Sequence, residues 1–530
     1  MKYFNYTVLL LTTFLISAQD PKIVALVPGH NDARFLPNCF RALACYADAI
    51  VYLDDASDDD SVAVAQSLAQ ECRIEQIIVK QTWNRDEPGD RNTLLNVGRA
   101  IGGTHFIVLD TDEMFTANCQ EHSKIRQHIL NLKPGERLVL NWIQLWRSLD
   151  VYRFDNSIWT WNYKDFAFCD DSICCYASDF LHTSRTPRNL AGPNWFIEGY
   201  TYGVLHFQFT NWRNVIIKHA WYRCLERVKY KDRPAHEING RYNPSLDETN
   251  IHVEPAPAYW FDYSFLDRNV YQENEQWREE QVMNWFLQYG IDRFADLDIW
   301  DIAWPFEKYL NNLPKTNSHK SQVLQDIFFD TFVFNGQENG LFVDIGAHDG
   351  IQHSNSYFFE KERNWKGLCI EPLPTVFAEL QKNRTADCIN GCISNNTSNA
   401  LFYAVSGPSQ QLSGLIDTYD PRHKERMQRE IKQRGGKCEI IQVPTYRLAD
   451  ICSQYTITHI DFLSVDTEGN EYDILHAIDF DKLYIRAITV ENNYNDNRIK
   501  ELLISKGFAF ITRLGNQDDV YINKNKKESR

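Results

Sequence analysis

The amino-acid sequence predicts an α/β protein with two successive domains, each built around a mostly parallel β-sheet. Short apolar runs alternate with helical stretches from Lys22 to about residue 115, and the same alternation begins again at Leu341. Residues 311–320 (NNLPKTNSHK) lie between the two and have the composition of a linker. A chain of 530 residues is long enough for two or three domains, so each alternating region is assigned a domain of its own.

Strands are predicted in the first region at residues 23–27, 49–53, 75–80 and 105–109, with helices at residues 61–72 and 93–101. In the second region, strands are predicted at residues 341–345, 367–370, 462–465 and 485–490. Polar residues follow most of these strands. Because ligands of open α/β sheets lie outside the carboxyl ends of the strands, these polar residues are the candidate site residues.

Composition and charge restrict the classes of function. Hydrophobic residues make up 43% of the chain and charged residues 24%, values typical of globular proteins. The net charge of -16 disfavours a nucleic-acid partner, since such binding depends on Lys and Arg neutralising phosphates. The 13 cysteines are odd in number and irregularly spaced, so they predict no disulfide framework.

The first motif of the second region is FVDIGAHDG, in which a strand leads into Asp344, Gly346 and Gly350. Glycine at such a turn lets the backbone pass close to a ligand, although the motif alone would serve many nucleotides. Glu371, in GLCIEP, ends the next predicted strand, where a carboxylate can accept hydrogen bonds from both hydroxyls of a ribose. Together the two strand ends predict a nucleoside-containing cofactor.

A third strand end supplies residues for chemistry. In SVDTEGNEYDIL the strand delivers Asp466 and Glu468 before a helix, and Glu491 (VENNY) ends the following strand. A carboxylate at the position of Asp466 can pair with a sulfonium or take the proton of a substrate hydroxyl, and Glu491 is a second candidate base. Helix capping and surface ion pairing are the structural alternatives.

These blocks, with SQVLQDIFF, SNSYFFEK and VPTYRLADI, resemble the FkbM family of methyltransferases and occur in the family's order. The resemblance implies a class I methyltransferase fold with a doubly wound Rossmann-like sheet, S-adenosylmethionine as cofactor, and O-methylation of a sugar or another hydroxylated compound. It also implies that Asp344, Gly346 and Glu371 contact the cofactor, and that Asp466 and Glu468 line the reaction centre.

The first region contains HFIVLDTDEMF, where a strand ends in Asp110, Thr111 and Asp112. Two carboxylates one residue apart at a strand end can hold Mg or Mn, which would neutralise a diphosphate. Alone, this DxD pattern is weak. Two further features support it. Asp54 and Asp55 follow the second strand, where carboxylates can bind the base and ribose of a nucleotide. Arg91 lies just ahead of a predicted helix, where it can bind phosphate or the DxD acids.

This order of motifs resembles GT-A glycosyltransferases of the family-2-like type, which implies a mixed GT-A sheet and a nucleotide-sugar donor. The resemblance also suggests His206, in GVLHFQFTNW, as a third metal ligand or as a contact to the diphosphate. A structural role for His206 is the alternative. Glu198 and Asp179 are both candidates for the catalytic base, and the donor motifs do not decide between inversion and retention.

The function predicted from the sequence is that of a bifunctional glycan-modifying enzyme. The first domain would transfer a sugar from a nucleotide sugar to a glycan or glycosylated acceptor, and the second would methylate a sugar hydroxyl. The alternative is a methyltransferase of a protein or a non-sugar small molecule whose first domain binds carbohydrate without catalysis.

The predicted segments are residues 1–18 (signal peptide), 21–240 (glycosyltransferase), 241–318 (helical extension and linker), 319–523 (methyltransferase) and 524–530 (basic tail). The first 18 residues combine Lys2, an apolar run and small residues, a secretory pattern too short to span a bilayer. A simple apolar extension is the alternative. The localisation is not predicted, because the leader is typical of secreted proteins whereas nucleotide sugars and S-adenosylmethionine are cytoplasmic metabolites. No transmembrane span is predicted.

Overall fold

The structure, a computed structural model, describes residues 20–177 and 183–525. The predicted signal peptide, Asp179 and most of the basic tail lie outside the described residues. The chain divides into two compact units. The first runs to Val215 and adds Asp247–Glu275, and the second comprises Ile216–Leu246 and the chain from Gln276 onward.

The first unit is built around a large mixed sheet. The strands described for this unit are β1 (Ile23–Gly29), β2 (Ala49–Asp54), β3 (Ile74–Val79), β4 (His105–Val108), β5 (Glu113–Phe115), β6 (Arg137–Gln144), β7 (Val151–Arg153), β8 (Tyr163–Cys169), β9 (Asn194–Ile197), β10 (Gly203–His206) and β11 (Val253–Pro255).

Strand order in this sheet is β3-β2-β1-β4-β8-β6-β10-β5, and β9 pairs with β6. The first four strands are mutually parallel, whereas β8 is antiparallel to both β4 and β6. Strands β7 and β11 form a separate antiparallel pair. Alternate residues of β1 enter two different hydrophobic clusters, with Ile23 and Ala25 in one and Val24 and Leu26 in the other. The parallel half is therefore buried on both faces, as near-continuous apolar strands require.

Helices flank the first sheet and precede the second. The α-helices up to residue 246 are α1 (Leu36–Ala44), α2 (Ser61–Leu68), α3 (Glu87–Ala100), α4 (Lys124–Leu130), α5 (Trp212–Lys229) and α6 (Ala235–Leu246). Helix α3 begins where the sequence signals a start: Asp86 accepts a hydrogen bond from the Gly89 backbone N–H, and Pro88 occupies the first turn. This start places Arg91 in the second turn of the helix.

The second unit contains a seven-stranded and a four-stranded sheet. Its described strands are β12 (Leu341–Ile345), β13 (Lys366–Glu371), β14 (Asp387–Asn390), β15 (Cys392–Ile393), β16 (Ser398–Ser406), β17 (Gly414–Leu415), β18 (Lys437–Tyr446), β19 (His459–Val465), β20 (Tyr484–Glu491), β21 (Phe508–Leu514) and β22 (Asp518–Asn523). Its later helices are α7 (Trp277–Tyr289), α8 (Phe306–Leu310), α9 (Gln325–Phe328), α10 (Tyr357–Glu362), α11 (Pro374–Asn383), α12 (Pro421–Arg434), α13 (Leu448–Gln454), α14 (Glu471–His476) and α15 (Asn497–Ser505).

The larger sheet has the order β14-β13-β12-β19-β20-β22-β21. Its first five strands are parallel, and β22 is antiparallel to both of its neighbours. The chain starts in the middle of the sheet, winds outward on one side and then crosses to the other. The topological switch therefore lies between β12 and β19, where a doubly wound sheet opens a crevice for a ligand. The two units together confirm the predicted fold class of two Rossmann-like α/β domains.

The compact units interleave along the chain, which differs from the predicted linear segments. Residues 276–318 lie with the second unit because their aromatic side chains pack on its core: the ring of Phe306 contacts those of Phe328 and Phe332 edge-on, each at 5.2 Å between centroids. An ion pair of 2.5 Å between Asp292 and Arg486 joins the same segment to β20. The segment thus contributes packing surface to the second unit.

The predicted strands agree with the structure to within a few residues. The strand at residues 341–345 is reproduced as β12, and the others differ at their ends, where strand limits are least predictable. Across residues 20–177 and 183–525, no helix combines the length and the apolar character needed to cross a membrane.

Candidate functional site

A cavity of about 370 Å³ lies at the carboxyl ends of the parallel strands of the second unit. Residues at the ends of four adjacent strands line it, among them Gly346, Glu371, Asp466 and Glu491. We call it the strand-end cavity. Its volume falls in the range of pockets that enclose small-molecule ligands.

Gly346 brings the ends of β12 and β19 together. Its φ is +87°, and a Cβ built on it would lie 1.8 Å from the carbonyl oxygen of Asp466. The Gly346 N–H donates to the carbonyl of Ile370 on the other neighbouring strand, at 3.0 Å. Only glycine fits a turn that has both this backbone conformation and this close approach.

Asp344 is buried next to the turn. Its Oδ2 accepts a hydrogen bond from the Ser356 hydroxyl at 2.5 Å, and the Arg384 guanidinium donates to the same hydroxyl at 3.0 Å. Burial raises the pKa of Asp344, and Ser356 and Arg384 oppose that rise. Asp344 therefore fixes the loop that follows β12 and also forms part of the cavity wall.

Glu371 is held by the backbone at the end of β13. Its Oε1 accepts from the Leu373 N–H at 2.8 Å and its Oε2 from the His348 N–H at 3.1 Å. Burial raises the pKa of Glu371 to about 7, against the lowering effect of these two bonds. A carboxylate oxygen has capacity for more than one hydrogen bond, so both oxygens can still accept from ligand hydroxyls.

Asp466, Glu468 and Glu491 form the acid cluster of the cavity, with one carboxylate oxygen from each within 4.8 Å of the others. Burial raises the pKa of Asp466 to about 7, and the nearby Asp518 and Glu471 add to that rise. Burial also raises the pKa values of Glu468 and Glu491, and Asp466 increases both. Neighbouring acids with raised pKa values are suited to accepting protons near neutral pH.

His423, from helix α12, faces this acid cluster. Helix α12 starts at Asp420, which caps it by accepting from the Arg422 N–H at 2.7 Å, and ends at Gly435. The Nε2 atom of His423 lies 3.0 Å from Oε2 of Glu468, and its Nδ1 lies 3.2 Å from the Tyr494 hydroxyl. Burial lowers the pKa of His423 to about 4, so its ring is neutral at pH 7.

In the first unit, several charged side chains lie close together just after the end of β4. Asp110 is 38% exposed and lies 3.3 Å from an Arg91 nitrogen and 3.6 Å from an Arg185 nitrogen. Asp112 Oδ2 lies 3.7 Å from Nε2 of the buried His206. The structure thus brings the predicted Asp110 next to the predicted Arg91, and Asp112 next to His206.

Glu113 and Arg185 form a buried pair behind Asp110. Both guanidinium nitrogens of Arg185 donate to the Glu113 carboxylate, one of them at 2.6 Å, and a Glu113 oxygen accepts from the Asp110 N–H at 3.0 Å. Burial raises the pKa of Glu113, and Arg185 opposes the rise. The guanidinium also lies 4.9 Å above the ring of Trp142. This pair fixes the backbone that presents the DxD acids.

The other predicted donor-site acids hydrogen-bond within the chain. Asp54 is completely buried, and its oxygens accept from the Tyr52 hydroxyl at 3.1 Å and from the Ser57 N–H at 2.9 Å. Asp55 pairs with Lys80 at 2.5 Å, and Lys80 also donates to Asp90. Asp54 therefore shapes the turn after β2, and Asp55 belongs to a charged network beside it.

Comparison with known proteins gives a family match for part of the second unit. Residues 344–516 match the family model described as the Methyltransferase FkbM domain. These residues are similar to FkbM methyltransferase domains, and we refer to them as the FkbM domain. Methyltransferase sdnD of Sordaria araneosa is 26% identical over 216 residues, which cover 36% of this chain and 82% of that protein.

Two solved structures are also similar to parts of the chain. Methyltransferase FkbM from Methylobacillus flagellatus KT aligns at 12% identity and a TM-score of 0.24, covering 50% of this chain and 64% of that one. TarS of S. aureus aligns at 12% identity and a TM-score of 0.24, covering 43% of this chain. The match spans 44% of TarS, so this chain corresponds to less than half of that protein.

Within the FkbM domain, the structure brings six of the predicted site residues together in the wall of the strand-end cavity: Asp344, Gly346, Glu371, Asp466, Glu468 and Glu491. Gly350 has a different surrounding: a Cβ on it would meet the side chains of Arg384 and Leu380. Gly350 thus allows α11 to pack against the turn.

Sequence reasoning missed His423, Arg185 and Ser356. Ser356 lies inside the SNSYFFEK block, so the resemblance pointed to its neighbourhood without giving it a role. His423 lies in a charged helix and Arg185 in a polar loop, and neither has a local pattern that distinguishes it. Glu198, one of the two candidate bases, is exposed beyond β9.

Proposed function

We propose that the chain is a bifunctional glycan-modifying enzyme, in which the FkbM domain methylates a hydroxyl with S-adenosylmethionine and the first unit transfers a sugar from a nucleotide sugar. The observation that carries the methyltransferase half is the strand-end cavity, where Glu371 and the acid cluster face the same space. The observation that supports the first half is the juxtaposition of Asp112 with His206 and of Asp110 with Arg91.

The residues of the strand-end cavity fit the cofactor. Glu371 would accept the two ribose hydroxyls, and the tight turn at Gly346 would leave room for the cofactor beside the strand end. Buried oxygen atoms of Asn355 and Asn470 line the same cavity and make no hydrogen bond within the described residues. Such atoms favour a polar ligand over an apolar one. When bound, S-adenosylmethionine supplies an electrophilic methyl group on a sulfonium sulfur.

The chain's own contribution to methyl transfer is proton removal and positioning. As the acceptor oxygen bonds to the methyl carbon and the carbon–sulfur bond breaks, the hydroxyl proton has to leave. Asp466, Glu468 and Glu491 are the proposed acceptors of that proton, because each is a carboxylate in the cavity and their mutual proximity increases their basicity. Ser356 and Arg384 contribute indirectly: the Ser356 hydroxyl donates to Asp344 and holds it in place, and Arg384 donates to that hydroxyl.

In the first unit, Asp110, Asp112 and His206 are the proposed ligands of Mg or Mn, and Arg91 the proposed phosphate contact. The 3.7 Å between Asp112 and His206 suits two groups that share one ion. A cation at Asp110 would have to compete with the two guanidinium groups already beside it. This competition favours the second candidate function, a methyltransferase whose first unit binds carbohydrate without transferring it.

Calorimetric titration of S-adenosylmethionine, and of several nucleotide sugars with Mn, tests both halves on wild type and on Glu371→Ala and Asp112→Ala. We expect Glu371→Ala to lose only S-adenosylmethionine binding and Asp112→Ala to lose only Mn-dependent nucleotide-sugar binding. Asp481→Ala, an exposed acid in the second unit, is the matched control and should bind as wild type does. If no nucleotide sugar binds to wild type, the second candidate function replaces the first.

A further inference from the structure

We propose that Asp466, Glu468, Glu491 and His423 form a binding site for one divalent cation in the strand-end cavity. The inference rests on the proposed methyltransferase function only for the role of the cation, whereas the site itself follows from the arrangement of the side chains. The carboxylate oxygens of the three acids lie within 4.8 Å of one another, close enough to share a single ion.

The surroundings of the acid cluster add negative charge to it. Asp344, Glu471 and Asp518 all act on Asp466 electrostatically, and each is an acid. Arg426 attracts Glu468, but its Nε donates to Glu430 at 3.0 Å. The Asn493 amide donates to Glu491 at 2.6 Å and brings no charge. A cavity wall this rich in acids is suited to an added cation.

His423 is the second and independent observation. It is 1% exposed, and it comes from a helix far along the chain from the acids. Its Nε2 atom lies 3.0 Å from Oε2 of Glu468, yet within the described residues neither atom makes a hydrogen bond. The Tyr494 hydroxyl at 3.2 Å from Nδ1 orients the ring. Histidine ligates metals as a neutral imidazole whose other ring nitrogen is held by a second group. His423 meets this description, with the Tyr494 hydroxyl as the second group.

The set of ligands indicates the class of ion. Three carboxylates and one imidazole suit Mn²⁺ or Mg²⁺ better than the softer ions that thiolates select. An octahedral ion held by four side chains keeps positions for water or for acceptor oxygens. In the proposed methyl transfer, a cation there would polarise the acceptor hydroxyl, and the proton would pass to a carboxylate oxygen of the same acids that does not hold the ion. This role favours an acceptor that offers neighbouring oxygens, as a sugar diol does.

The test uses the full chain carrying Asp112→Asn, so that the proposed ion site of the first unit does not contribute. Mn²⁺ is titrated in the absence of S-adenosylmethionine, and free Mn²⁺ is measured by electron paramagnetic resonance. We expect one bound Mn²⁺, and affinities weakened at least about ten-fold by Glu491→Gln and by His423→Phe. Glu425→Gln, an exposed acid on helix α12, is the control and should bind Mn²⁺ as its parent does.

Thermal unfolding separates loss of a ligand from loss of the fold. In EDTA, Glu491→Gln should unfold at a temperature equal to or above that of its parent, because it removes one of several like charges. In Mn²⁺ the parent should gain stability and the variant should not. The proposal is overturned if the parent binds no Mn²⁺, or if Glu491→Gln and His423→Phe bind it unchanged. Retained S-adenosylmethionine binding in that event would leave the methyltransferase proposal intact.

Discussion

Replacement of Gly346 by alanine tests whether the strand-end cavity depends on the close approach of β12 and β19. A Cβ at this position would lie 1.8 Å from the Asp466 carbonyl oxygen, whereas real Cβ atoms stay at least 3.0 Å from such neighbours. The backbone at Asp466 would therefore have to move by about 1.2 Å. That residue belongs to the acid cluster, so the movement should also misplace the groups proposed for chemistry.

The energetic cost has two parts. Alanine at φ +87° costs about 1–2 kcal/mol because of its left-handed backbone conformation. Displacing Asp466 also weakens its N–H bond to the Ile345 carbonyl, now 3.0 Å, which adds about 1 kcal/mol. Gly435 is the matched control: its φ is +82°, but nothing lies within 4 Å of the added Cβ. Gly435→Ala should cost only the first part.

The assay is thermal unfolding of both variants, followed by titration of S-adenosylmethionine. Each 1 kcal/mol corresponds to about 2–4 °C in Tm for a unit of this size. Gly346→Ala should therefore unfold several degrees below wild type and below Gly435→Ala, and it alone should bind the cofactor weakly. Equal Tm values with unchanged cofactor binding would refute the argument from close approach.

Three further predictions concern single carboxylates and their partners. The affinity for S-adenosylmethionine should fall as the pH drops below about 7, because protonated Glu371 loses acceptor capacity; Glu371→Gln should bind weakly at every pH, as measured by calorimetry. Arg185→Met should cost roughly 3–5 kcal/mol by leaving Glu113 buried without its partner. The stability of that variant should fall further as the pH rises, because Glu113 then ionises more readily in the unfolded chain; denaturation at several pH values measures this. Asp112→Asn should abolish any Mn-dependent hydrolysis of nucleotide sugars, and unchanged hydrolysis would remove Asp112 from the proposed metal site.

The strands and their ends could be predicted because the signals are local. An apolar run followed by an acid and a glycine is visible in a short stretch of sequence, as at Asp344 and Gly346, and sheet topology then places neighbouring ends together. Asp466 and Glu491 are close for the same reason, since β19 and β20 are parallel neighbours. The acid cluster was thus predictable from strand order.

The partners of these acids could not be predicted, because they come from distant parts of the chain. His423 reaches Glu468 from a helix whose sequence is dominated by exposed charged residues. Arg185 reaches Glu113 from a loop 72 residues further along the chain. No periodicity or spacing links such pairs, since only the folded packing of α12 and of the loop brings them together. The interleaving of the two units has the same origin.

Asp54 and Glu371 show what a strand-end acid does and does not imply. Both are buried acids, and each ends a parallel strand that pairs with the first strand of its sheet. The sequence therefore predicts ligand binding for both of them. Asp54 is completely buried, and its carboxylate accepts hydrogen bonds from the Tyr52 hydroxyl on its own strand and from the Ser57 N–H in the turn that follows. Glu371 accepts two backbone N–H groups and still lines a cavity. A strand-end carboxylate is therefore a candidate for ligand binding only where its oxygens keep capacity and face an open space, and that distinction lies in tertiary structure.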